Sequence, residues 1–166
     1  MTKIPTAPKG YNTVNPFVIT NNADTIINFV KEVFGAEETE YSRTLDDDGL
    51  ILHCEMKIGN SVVMFADRKP DWAQTPSLLQ VYVDDINSVL EKAVSLNAEV
   101  ITKPTEFLGA LFSRVKDSEG NLWWIYQYLN KPEEWDTAQD EQSWEPSQEA
   151  MYIHDTLVSA MQNLKK

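Results

Sequence analysis

The sequence predicts an α+β protein built from two copies of one strand–helix–strand–strand–strand unit. Three observations carry this. Apolar residues recur at helical spacing twice, each time just after a strand-like run. Gly35-Ala36-Glu37 returns as Asn97-Ala98-Glu99, at an offset of 62 residues. Gly59-Asn60 returns as Gly120-Asn121, at an offset of 61. Near-equal offsets point to one repeated unit, and two copies give eight strands and two helices.

The elements follow in order. Residues 14–20 (VNPFVIT) read as a strand. In the helix that follows, Ile26, Ile27, Val30, Val33 and Phe34 form one apolar face. Asn22 or Asp24 suits its start, and Gly35 suits the left-handed position at its end. Residues 37–45 read as one strand, and 46–49 (DDDG) as a tight turn. Two strands follow on either side of Gly59-Asn60. The second copy runs in parallel: a strand at LLQVYV, then a helix with Ile86, Val89, Leu90, Ala93 and Leu96 on one face. Asn97 stands where Gly35 stood. Three strands then end at LWWIYQY (122–128).

Composition narrows the function. With 166 residues the chain suits one domain or two very small ones. The net charge of −12 argues against nucleic acid, whose phosphates need Lys and Arg. No run of eighteen apolar residues is present, so no membrane span is expected. The N-terminus lacks the apolar core of a secretory signal. The single cysteine cannot form an internal disulfide, so the expected location is cytoplasmic. There is no Gly-x-Ser-x-Gly elbow and no Gly-rich phosphate loop.

Side-chain alternation selects candidates for chemistry. In 50–58, Leu50, Leu52, Cys54, Met56 and Ile58 share one face, expected to pack on the helices. His53 and Glu55 share the other, where a carboxylate could orient an imidazole for proton transfer. Cys54 points away from them, as a buried hydrophobe. In 122–128, Trp124 and Tyr126 share one face, suited to a flat or cationic ligand.

The C-terminal stretch 130–166 is distinct. Its eight acids stand against three lysines. Trp135 and Trp144 punctuate it, and Pro146 opens a helix-like run. Ala150, Met151, His154, Leu157, Val158, Met161 and Leu164 form an apolar stripe, expected to dock on its own domain or on a second copy.

The segments FVKEVFGAEE, LHCEMKIGNSVVMFAD, VYVDDINSVLEKAVSLNAEV and VKDSEGNLWWI resemble the vicinal-oxygen-chelate superfamily. This is the group of glyoxalase I, bleomycin-resistance proteins and extradiol dioxygenases. The chain is most similar to its PhnB-like branch, over about residues 10–129. The resemblance implies two βαβββ modules, at about 12–68 and 77–129, curled into an eight-stranded mixed sheet with helices outside. Residues 1–129 would form that domain and 130–166 an added helical extension. It also implies a homodimer and a ligand cavity lined by the inner strand faces. Those faces carry Phe17, Ile19, Gln80, Tyr82, Phe112, Arg114, Trp124 and Tyr126. Arg114 could answer an anionic ligand or Glu55.

Metal-dependent members hold their ion through His, Gln or Glu on the first and last strands of each module. Those positions map here to Asn15, Met64, Leu78 and Trp124, or with slippage to Phe65, Leu79 and Trp123. Apolar side chains cannot hold a divalent cation. The expected function is therefore metal-free binding of a small molecule, with no cofactor. The alternative is a lyase, isomerase or oxygenase using His53 and Glu55, with a divalent metal at an atypical place. A regulator that keeps the fold for contacts alone is a third reading, supported by the tail helix.

Overall fold

A computed structural model of the chain describes residues 6–129 and 146–164. The acidic stretch 130–145, with Trp135 and Trp144, and the closing Lys165-Lys166 lie outside the described residues. The chain divides into two compact units, Met1–Pro76 and Ser77–Lys166.

The first unit runs β1 (Phe17–Thr20), α1 (Ala23–Phe34), β2 (Glu37–Glu38), β3 (Thr44–Leu45), β4 (Ile51–Ile58) and β5 (Ser61–Asp67). Helix α1 starts where its sequence dictates: the Asn22 side chain accepts the Thr25 N–H. It ends at Gly35, at φ +65°, whose N–H returns to the Lys31 carbonyl while the Ala36 N–H returns to that of Val30. Ile26, Ile27, Val30 and Val33 are buried as expected. Each such side chain taken from water stabilises by roughly 1.5–3 kcal/mol. The helix packs on β1, β4 and β5. The sheet order is β1-β5-β4-β2, with β1 and β5 parallel and the other pairs antiparallel.

Two local expectations are corrected here. Residues 37–45 form two short strands, not one, because Tyr41 turns the chain at φ +60° and the Ser42 N–H closes on Thr39. Strand β4 also does not alternate cleanly at its start. Thr44 pairs with His53, whereas Leu45 pairs with Ile51, which leaves Leu52 as the extra residue of a bulge. Ile51 is therefore 2% exposed and Leu52 48% exposed, the reverse of the simple pattern. From His53 onward the alternation holds, with Cys54 and Met56 buried. Burial pushes the Cys54 thiol up to about 11, so it is an inert core residue.

The second unit repeats the plan: β6 (Leu78–Tyr82), α2 (Ile86–Ser95), β7 (Glu99–Phe107), β8 (Ala110–Lys116) and β9 (Leu122–Tyr128). Its strand order, β6-β9-β8-β7, matches the path β1-β5-β4-β2 of the first unit, which has β3 on β4 as an additional short strand. The Asp85 carboxylate caps α2 by accepting the N–H groups of Asn87 and Ser88. Asn97 takes the left-handed place at φ +64°. The VKDSEGNLWWI segment is a locked turn between β8 and β9. Buried Asp117 accepts from Trp123 Nε1, from Asn121 Nδ2 and from the backbone of Glu119 and Asn121.

The chain then adds α3 (Gln148–Asn163). Ser147 caps it through the Ala150 N–H, so Pro146 precedes the helix instead of sitting in its first turn. The helix packs on β7. The Tyr152 hydroxyl accepts the Lys103 N–H, and the Thr156 and Thr102 hydroxyls meet at 2.8 Å. These bonds turn the helix away from its expected docking stripe. Ile153, Thr156, Leu157 and Ala160 face the sheet, while Met151, His154, Val158 and Met161 are exposed. Among the described residues no helix is long and apolar enough to cross a membrane.

Candidate functional site

Strand register lines up the second unit's polar and aromatic candidates in two rows. Gln80 pairs with Trp124, Trp124 with Arg114, and Arg114 with Thr102. In the next row Tyr82 pairs with Tyr126, Tyr126 with Phe112, and Phe112 with Thr105. The period of two places the β6, β8 and β9 residues on one face, and a register shift in β7 lets Thr102 and Thr105 both pair with it. The opposite face carries Trp123, Ile125 and Val115, fully buried, and Gln127, whose side chain accepts the first N–H of α2.

The rings of the second row touch in series. Tyr82 and Tyr126 lie 5.5 Å apart between centroids, and Phe112 and Tyr126 4.9 Å. The Arg114 guanidinium carbon sits 4.6 Å from the Phe112 centroid and 4.8 Å from that of Trp124. Both ring faces are thus engaged by a cation already present. Arg114 is only 3% exposed. Its Nη1 donates to the Ile153 carbonyl of α3 at 2.7 Å and to Thr102 Oγ1 at 3.2 Å. Desolvation pulls its pKa down to about 10, which still leaves it charged at neutral pH. Burial likewise raises the Tyr126 phenol. Tyr82, at 63% exposed, forms the open end of the face.

In the first unit, His53 and Glu55 come together as alternation implies. His53 Nε2 lies 3.2 Å from Glu55 Oε1. The other carboxylate oxygen accepts the Tyr11 hydroxyl at 2.6 Å. That bond holds the Tyr11 phenol above its usual range, since ionising it would set two anions side by side. Sequence reasoning missed Tyr11. It precedes the first strand, belongs to no periodic run, and lies 44 residues from its partner. The Phe17 ring borders His53 at 6.0 Å. Glu55 spends both oxygens on His53 and Tyr11, and Arg114 bonds within its own unit.

The metal positions can be tested on register. Phe17, and not Asn15, pairs with Met64; Gln80, and not Leu78, pairs with Trp124. Asn15 is spent on the backbone of Asn12. These positions offer one amide oxygen between them, which does not fit a divalent metal. Among the described residues no three His, Cys, Asp or Glu side chains cluster as a metal site requires.

Two βαβββ units of matching strand order, each with a helix on one sheet face and mixed polar and aromatic groups on the other, define a paired-module protein. Residues 11–125 match the model of the Glyoxalase/Bleomycin resistance protein/Dioxygenase superfamily, and the chain belongs to that superfamily. The fold is shared with TioX from Micromonospora sp. ML1, at 19% identity and a TM-score of 0.56, over 70% of this chain and 99% of that one. A glyoxalase/bleomycin resistance protein/dioxygenase family enzyme from Burkholderia phytofirmans is similar at 20% identity and a TM-score of 0.57, over 68% and 95%. A PhnB protein from Bacillus cereus is similar at 16% identity and a TM-score of 0.55, over 70% and 99%. No curated protein matches the sequence.

Proposed function

We propose that this chain is a metal-free, cytoplasmic small-molecule-binding protein of the PhnB-like branch, acting as a homodimer. One observation carries the reading: the face built from Tyr82, Phe112, Arg114, Trp124 and Tyr126. These residues join tilted rings in contact to one charged group and include no carboxylate, thiol or metal-ligating set. A mostly apolar face with a few placed polar groups is the usual make-up of a small-molecule site. The similarity to a PhnB protein supports the branch.

The test is a tryptophan-fluorescence titration with aromatic compounds of differing charge. Saturable quenching that disappears in Trp124→Phe is the expected result. No saturable response to any compound would count against binding as the role. Elemental analysis of tag-free protein tests the metal-free part, and stoichiometric zinc, nickel, manganese or iron would overturn it.

The Tyr11–Glu55–His53 chain favours a second reading, an enzyme of the same superfamily. A carboxylate held between a phenol and an imidazole can orient the imidazole for proton transfer. In that case a turnover found by substrate screening would fall at least a hundredfold in His53→Gln, a typical weight for general acid–base catalysis. It would survive Trp124→Phe better than binding does.

A further inference from the structure

The Arg114 face holds features that docking of α3 alone does not use. Arg114 is buried, and among the described residues no carboxylate pairs with it. A buried guanidinium without a counter-anion is expensive. Among the described residues its Nε–H has no hydrogen-bond partner. The indole Nε1–H of Trp124, its direct cross-strand neighbour, has none either. Each such donor normally finds an acceptor when buried. What Arg114 does have are two neutral acceptors, Thr102 Oγ1 at 3.2 Å and, at 2.7 Å, the Ile153 carbonyl supplied by a helix docked on β7. A backbone carbonyl is the weaker answer to a guanidinium, which bonds oxyanions in a charge-assisted, often bidentate way. The adjacent row supplies Tyr126 and the exposed Tyr82 as a surface for a flat ring.

We propose that this face accepts a ligand with a flat apolar ring and an oxyanion (carboxylate or phosphate), and that the Ile153 carbonyl of α3 holds the oxyanion's place until such a ligand displaces it. The inference rests on the small-molecule-binding reading above and names its ligand class. It also reverses the expectation of a cationic ligand. The rings that would stack on a cation already face Arg114. Helix α3 thereby becomes a built-in competitor, and its stability on β7 sets the apparent affinity. An affinity measured on a covered site is the intrinsic one reduced by the uncovered fraction.

The experiment compares 2-naphthoate, 2-naphthyl phosphate, 2-naphthylmethanol and 2-naphthylmethylammonium, which share one ring and differ in charge. Binding to the full chain is followed by tryptophan fluorescence, and α3 by amide hydrogen exchange. Ala160→Asp loosens the helix at its buried contact, seven residues from Ile153 and away from the ring surface. The anions should bind best, and about tenfold more tightly in Ala160→Asp. Their binding should speed exchange across α3. Arg114→Met should abolish the preference for anions over the alcohol; should it fail to fold, wild type against Ala160→Asp still decides. Naphthoate alone, or the phosphate alone, binding well would tell which oxyanion is the fit.

The proposal is overturned if the ammonium or the alcohol binds as well as the anions. It is overturned too if anions bind while α3 keeps its protection and Ala160→Asp leaves affinity unchanged. In both cases the binding reading stands. If no probe binds to either form, that reading falls as well.

Discussion

The two modules share a backbone plan and differ in what they mount on it. Phe17, Met64 and Glu55 form one cross-strand row in the first; Gln80, Trp124 and Arg114 form a row in the second. One row carries a carboxylate, the other a guanidinium. The carboxylate is satisfied by neighbours within its own module, Tyr11 and His53. The guanidinium borrows a carbonyl from an added helix. The two modules share the parts that hold strands and helices together and differ on the other sheet face. The devices that join each last strand to its helix illustrate the shared part. Asp67 binds the N–H of Ala23 at the start of α1, and Gln127 binds that of Ile86 at the start of α2.

The sharpest way to break this symmetry is at the last hairpin of each module. Asp117→Ala strips the acceptor from a buried indole, a buried amide and two backbone N–H groups. It should cost about 3–5 kcal/mol in urea unfolding. Asn60→Ala, in the exposed turn of the first module, should cost less than about 0.5 kcal/mol. Near-equal losses would mean that the Asp117 network is not what holds its turn.

A middle-sized contrast is expected between the two helix anchors. Asp67 also accepts the Ile51 N–H, so it serves two backbone donors. Asp67→Ala should cost about 2–3 kcal/mol and Gln127→Ala about 1 kcal/mol, read from denaturation midpoints at constant slope. Equal costs would remove the distinction drawn between them.

The ion pairs differ in their acid response. Hydrogen bonds from Arg43, with help from Lys31, hold the Glu38 carboxyl down at about 2. A depressed folded pKa stabilises the protein above the unfolded value near 4.5, and the gain is lost as pH falls toward 2. Wild type should exceed Glu38→Gln by about 1–2 kcal/mol at pH 7, allowing for partial solvent screening. The gap should close between those two pH values. The second module's Glu99–Lys116 pair, with Glu99 well exposed, should be worth less than about 1 kcal/mol at pH 7. A gap for Glu38→Gln that is flat with pH would contradict the assignment.

The smallest effects belong to the helix ends. Gly35→Ala places a side chain at φ +65° with no steric contact nearby, so only the backbone penalty of about 1 kcal/mol applies. Asn97→Gly relieves a similar penalty in the second module and should be neutral to stabilising by a few tenths of a kcal/mol. Opposite signs in thermal unfolding are the outcome that supports the shared left-handed position.

Much of the plan was readable because its signals are local. The helix faces, their caps at Asn22 and Gly35, and the pairing of His53 with Glu55 follow from periods of 3.6 and 2. Reading failed where one residue changed the phase. The bulge at Leu52 inverted the expected burial of Ile51 and Leu52, and a turn at Tyr41 cut one strand into two. On α3, apolarity alone pointed to the Met151–Val158–Met161 side. The hydroxyls of Tyr152 and Thr156 found partners on β7 and chose another face.

The sequence by itself determined that two βαβββ units follow one another and which side chains share a strand face. It also gave the residue types near the mapped metal positions, Asn15, Met64, Leu78 and Trp124, while register chose which of them pair. Only the tertiary structure decided which neighbours each polar group meets. Strand register set Arg114 beside Trp124, a loop tyrosine completed the His53–Glu55 chain, and α3 brought a carbonyl to a buried cation. The reason is physical. Backbone periodicity is encoded within a few residues, whereas the satisfaction of a buried charge depends on groups 39 or 44 residues away, brought near by packing alone.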